Sequence, residues 1–380
     1  MGILRVYLAL CVIVGHAESP VLPWKMHNGR QAVQIFYMIS GFYMAMVLSS
    51  RYSTPRDFYV SRLMRIFPPD WAAVGSTVVM SMIAGLIFQQ WMLLSPYVEN
   101  PLAHNGMAGF LVVAASNLTL MGQDWVMFLS HDAGRLFHLT ANFRNDESPL
   151  WRYLLIPQCW SVGVELAFYA FAPFLNRLRS RWLVLMAIGS FAARLFTYWQ
   201  MGGARDPWTY RFFPFEISLF LLGMLGYRLY ARTTAYHPSQ RFRCVTRISY
   251  SIGAVLLIFL LYMHIRAVDW VGGIVGFEAS LFLSYLSWAL GIPALFFVFG
   301  NQKDDRSIGE LSYPIYLLHM VVIGVAGILL TNLGVAHGLG AVSAVISLVA
   351  ATVFYRSFIA DIDKRRHNFT RTPAEFSGDN

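Results

Sequence analysis

The chain has 380 residues, of which 57% are hydrophobic and 16% aromatic, while only 13% are charged, about half the charged share of an ordinary soluble domain. The apolar residues fall in repeated runs near the roughly 20-residue length that crosses a bilayer, which excludes a soluble enzyme and predicts an all-α, polytopic membrane helical bundle. The net charge of +9 sits mainly in short loops between apolar runs, the positive-inside pattern, so it does not read as a nucleic-acid surface.

The first run, Leu4 to His16, lacks a basic leader and a small-residue cleavage site and is read as a span, not a signal peptide. Its polar exceptions are Arg5 and His16. Eleven steps of helix make about 1100° of rotation, so the two side chains share one face roughly 16 Å apart. Two readings fit: anchors at opposite interfaces, or ionisable groups lining a cavity.

Further spans are predicted near residues 31–50, 71–94, 160–176, 182–199, 212–230, 248–265, 279–299, 311–331 and 339–358, giving about ten crossings with both termini cytoplasmic. The arginines at 51, 56, 62 and 65, those at 177, 179 and 181, and those at 228, 232, 241, 243 and 247 then all face the cytoplasm. Met107 to Met121 is left over and is read as a re-entrant or interfacial segment in an outer loop, Ser95 to Cys159. Residues 1–360 are expected to form the transmembrane domain and 361–380 a cytoplasmic polar tail, with no second soluble domain. Cys11, Cys159 and Cys244 show neither metal spacing nor a disulfide framework.

Four segments carry chemistry. In RQAVQIFYMISGFYMAMVL, Gln34 serves either as interhelical glue or as a substrate contact, and Gly41 allows close helix packing. In FYVSRLMRIFPPDW, Arg62 and Arg65 lie one helical turn apart, a spacing that suits phosphate recognition by paired guanidinium forks. Pro68 and Pro69 are expected to mark the start of the next helix. QCWSVGVELAFYAFAP places Glu165 inside an apolar span, sharing a face with Trp160, Ser161 and Tyr169; the alternatives are a functional carboxylate near His16 or a salt bridge to Arg194. IGELSYPIYLLHMVV sets Ser312, Tyr316 and His319 on one face beside Tyr313, expected in the cytoplasmic half. His and Glu near the outer side, with arginines near the cytoplasm, suit group transfer, in which histidine removes a hydroxyl proton.

These residues resemble the acyltransferase 3 family of multispanning membrane acyltransferases. The resemblance runs over residues 2 to 358 through five motifs in order: Arg5 with ten residues then His16; AVQIFYMISGFYM; Arg62-Leu-Met-Arg65 into IFPPDW; CWSVGVELAFYAFAP; and IGELSYPIYLLH. It implies a ten-span O-acyltransferase moving an acyl group, commonly acetyl, from cytoplasmic acyl-CoA to a hydroxyl of an extracytoplasmic or lipid-linked glycan. Acetyl-CoA is then a donor substrate, no bound cofactor or metal is expected, and partners of a polysaccharide assembly system in a bacterial inner membrane fit the same picture. His16 is implied as catalytic with Arg5 and Glu165; Arg62 and Arg65, with Tyr313, Tyr316 and His319, as donor-binding; Gln34, Trp160 and Ser161 as acceptor-binding. Gln34 departs from the acidic residue that many members carry there. Val21 stands where the His-x4-Asp acyltransferases of lipid synthesis have aspartate. The competing reading is a transporter with an intramembrane His/Glu/Arg relay, although no inverted repeat is detectable.

Overall fold

The computed structural model describes residues 1–22, 26–52, 54–99, 107–131, 137–203, 206–235, 277–300 and 302–369. In chain order the helices are α1 (Gly2–Ala17), α2 (Gly29–Ser50), α3 (Pro55–Phe88), α4 (Ser95–Glu99), α5 (Met107–Thr119), α6 (Gln123–Val126), α7 (Trp160–Arg177), α8 (Ser180–Gln200), α9 (Phe213–Ala235), α10 (Phe277–Phe299), α11 (Lys303–Glu310), α12 (Ser312–Asn332), α13 (Leu339–Phe354) and α14 (Ala360–Phe369). Among the described residues, five helical stretches are long and apolar enough to cross a membrane, with shorter apolar helices beside them; the protein is a polytopic membrane bundle. The span expected at 248–265 lies outside the described residues.

Helix starts follow local chemistry. Asn28 caps α2 by accepting the Gln31 N–H at 2.8 Å, and Thr54 caps α3 by accepting the Asp57 N–H at 3.2 Å, with Pro55 in the first turn where its missing N–H costs nothing. Here the structure corrects an expectation: Pro68 and Pro69 lie inside α3 and do not begin a helix. The Thr54–Pro55 start signal precedes them, and the helix runs through the prolines at the cost of two ladder hydrogen bonds. At 34 residues α3 is about 51 Å long, well beyond a hydrocarbon core of about 30 Å. Its first third, which carries Arg62 and Arg65, therefore projects toward the membrane surface.

α1 has no side-chain cap of its own. Asp305 of α11 supplies one, accepting the Gly2 and Ile3 N–H groups at 2.7 and 3.0 Å, so the first helix is fixed at its start to a helix 300 residues later by charge at the positive end of its dipole. α1 then packs against α2, α12 and α13. α2 and α9 form the tightest pair: a Cβ on Gly41 would overlap the Phe220 carbonyl, and one on Gly223 would overlap that of Met38. Small residues here let two backbones touch, as the sequence predicts for Gly41. Phe220 continues the contact by stacking on Phe168 at 4.2 Å and on Tyr37 at 4.6 Å between ring centres.

The segment between α3 and α7 is one departure from an all-helical chain. It holds a two-stranded antiparallel ribbon, β1 (Leu129–His131) against β2 (Phe137–Leu139), with Ser130 opposite His138. α5, at 13 residues, is about 20 Å long and too short to cross. The end of this segment turns inward: Gln158 donates to the Leu317 carbonyl at 2.7 Å within α12, so α7 begins inside the bundle.

Candidate active site

His16 ends α1 on the side away from the arginine-rich loops and is exposed. A second imidazole from α12 stands beside it: the rings of His16 and His319 lie 5.0 Å apart at 44°. His319 is fully buried. Its Nδ1 is 2.6 Å from the Tyr316 carbonyl oxygen, and a carbonyl only accepts, so Nδ1 carries the proton and Nε2 keeps its lone pair. That Nε2 has no partner among the described residues. One solvent-reachable imidazole thus stands against a second whose tautomer is set by its own helix.

A polar layer lies directly beneath. Ser161 Oγ is 2.5 Å from the Tyr316 hydroxyl, which in turn lies 2.6 Å from the Gln158 carbonyl and donates to it. The Tyr316 ring is 5.6 Å from that of His319. On the other side, Trp160 supports the Arg211 guanidinium at 4.2 Å, a cation–π contact, and Arg211 is held by Asp206 at 2.6 and 3.0 Å. The charged groups that His16 senses are Arg211 and Arg144.

Glu165 is placed elsewhere. Its Oε1 accepts hydrogen bonds from Ser40 and Tyr169, each at 2.5 Å. Arg194, the alternative partner weighed for it, pairs with Glu216 at 3.4 Å. Gln34 joins that second cluster, donating to both Glu216 oxygens at 2.9 and 3.0 Å and accepting from Tyr285. Gln34, Arg194 and Glu216 are all fully buried. The carboxylate at this level therefore comes from α9, against a glutamine on α2.

Between the two levels sits Asp70 on α3, fully buried. It accepts from the Tyr313 hydroxyl at 2.5 Å and lies 3.4 Å from the Cys159 thiol. Toward the start of α3, Arg62 is 6% exposed and donates to the Tyr52 hydroxyl at 3.0 Å, while its Nε has no partner among the described residues. Arg65 reaches Glu310 at 3.6 Å. Arg5 belongs to this end too, beside Gly309 and within electrostatic range of Tyr43. With about 16 Å of helix between Arg5 and His16, one carbonyl group cannot touch both.

Of the residues singled out from sequence, the structure thus brings together His16, His319, Tyr316, Ser161 and Trp160, and gathers Arg5, Arg62 and Arg65 at the opposite end. His319 sits with His16 instead of on the expected donor face, while Tyr313 bonds Asp70 and Glu165 bonds Ser40 and Tyr169. Asp70, Gln158, Arg211 and Glu216 were not anticipated; Asp70 and Glu216 carried the one legible signal, an ionisable residue inside an apolar run. Among the described residues, no group of three or more His, Cys, Asp or Glu gathers as a metal site.

Arginines thus gather at one end of an apolar bundle and an imidazole pair at the other, with buried polar groups between them. The chain belongs to the acyltransferase 3 family: that family's acyltransferase domain matches residues 1–356. It is similar to the exopolysaccharide production protein ExoZ of Rhizobium meliloti (strain 1021), at 27% identity over 324 residues, covering 82% of this chain and 81% of that relative. No solved structure matches the chain.

Proposed function

We propose that the protein is an O-acyltransferase of a bacterial inner membrane that moves an acyl group, acetyl in the simplest case, from cytoplasmic acyl-CoA to a hydroxyl of an extracytoplasmic or lipid-linked glycan. The relative's link to exopolysaccharide production makes an exopolysaccharide the first acceptor to test. The observation that carries this reading is the His16–His319 contact at 5.0 Å, placed opposite the arginine-rich end.

The CoA phosphates meet Arg62 and Arg65, with Arg5 beside them, and the pantetheine arm extends along α1 toward His16. The acceptor oxygen attacks the thioester carbonyl carbon as His16 takes its proton. The carbon–sulfur bond then breaks and the thiolate recovers the proton from the imidazolium, giving an ester and free CoA. In the two-step form the His16 imidazole itself carries the acyl group after CoA leaves and passes it to the acceptor. His319, with its lone pair at Nε2, faces the imidazole that cycles between neutral and protonated states, and Arg211 on Trp160 lines the acceptor side.

Proteoliposomes are mixed with acetyl-CoA and de-esterified surface polysaccharide from the cells that carry the protein. The proposal expects thiol release equal to ester formed. Movement of either compound across the liposome without thiol release would instead establish the transporter reading.

A further inference from the structure

A third arginine approaches the Arg62/Arg65 pair from chain that the family match does not cover. Matched residues end at 356, yet the last helix continues through one π-helical turn, Tyr355–Ile359, into α14, which packs back on α3. Arg366 on α14 is 6% exposed and lies within electrostatic range of Arg62, Arg65 and Tyr52. Its neighbours Lys364 and Arg365 are exposed, so the helix had solvent-facing positions for a charge and still turns this one inward.

Three guanidiniums, those of Arg62, Arg65 and Arg366, share this end with the carboxylates of Asp363, Glu310 and Glu165. Arg366 pairs with Asp363 at 2.8 Å and Arg65 with Glu310 at 3.6 Å, whereas Arg62 donates to the neutral Tyr52 hydroxyl. Three guanidiniums held at one end of the bundle, two of them buried, repel one another and lose hydration. A ligand with several phosphates offsets both costs, because each phosphate accepts paired hydrogen bonds from a guanidinium fork.

We infer that α14 completes the donor site, with Arg366 as a third clamp on the phosphate-bearing nucleotide end of the acyl donor. This rests on the acyl-CoA reading above. Asp363 and Glu310 hold Arg366 and Arg65 in place until the phosphates arrive. α14 is then a binding element of this chain.

The test compares acetyl-CoA with S-acetylpantetheine, which keeps the thioester and arm but lacks the nucleotide phosphates, using the full chain in proteoliposomes. Arg366→Gln is expected to raise KM for acetyl-CoA on the order of 10- to 100-fold, the range for a lost charged hydrogen-bonding group. Its kcat, and KM for S-acetylpantetheine, stay at the wild-type values. Arg366→Lys, which keeps the charge without the fork, falls in between and serves alone if the glutamine variant does not fold. Arg365→Gln behaves as wild type. An unchanged KM for acetyl-CoA, or equal losses with both donors, overturns the role of Arg366. Wild-type protein that turns over neither donor overturns the acyl-CoA reading itself.

Discussion

Replacing Arg194 by methionine isolates the buried ion pair that holds α8, α9 and α2 together. Arg194 and Glu216 are both fully buried and 3.4 Å apart, and the same carboxylate accepts both bonds from Gln34. At an effective dielectric constant of about 20, charges at that separation attract by about 5 kcal/mol. Breaking such a pair on one side costs about 3–5 kcal/mol, because the remaining carboxylate stays buried after losing the guanidinium that faces it. Arg194→Met is therefore expected to lower unfolding stability by that amount. Arg194→Met combined with Glu216→Gln should recover to within about 1 kcal/mol of wild type, since a glutamine at 216 keeps a hydrogen-bonding partner for Gln34 without a charge. Denaturant titration in mixed micelles, followed by tryptophan fluorescence, measures both. A single variant as stable as wild type, or a double variant worse than the single, would refute the electrostatic argument.

Asp305→Ala removes the acceptor for the Gly2 and Ile3 N–H groups and is expected to cost about 1 kcal/mol, the usual worth of a helix cap; hydrogen exchange should quicken in the first turn of α1 and stay unchanged in α8. Burial pushes the Asp124 carboxyl, in the segment outside the spans, from 3.8 up to about 6. The folded state then holds that proton more tightly than the unfolded state, so stability falls as pH rises from about 4 to about 6, by about 3 kcal/mol in all. Asp124→Asn should flatten that slope and melt higher than wild type at pH 7; parallel melting curves across pH for the two proteins would contradict it.

Much of the helix plan is legible in composition because a bilayer demands long apolar runs and confines arginines to their ends. Gly41 is legible for a related reason, as a missing Cβ inside a span is worth keeping where two backbones meet. What periodicity cannot supply is the neighbour of a face. It puts Tyr316 and His319 on one side of α12, but whether that side meets the Arg62 cluster or His16 depends on the inward turn that brings Gln158 to Leu317. The same limit applies to Gln34, whose carboxylate neighbour lies 182 residues later. Pro68 and Pro69 misled for a local reason: proline disfavours a helix interior by about 3 kcal/mol, a cost that tertiary packing along α3 outweighs.

The central claim is that His16 handles the transferred group. Transfer of radiolabelled acetyl from acetyl-CoA to de-esterified surface polysaccharide by purified His16→Ala, with acetyl-CoA binding measured in the same preparation, tests it directly. The account predicts transfer reduced on the order of 100- to 10,000-fold with binding retained; transfer at the wild-type rate would contradict it.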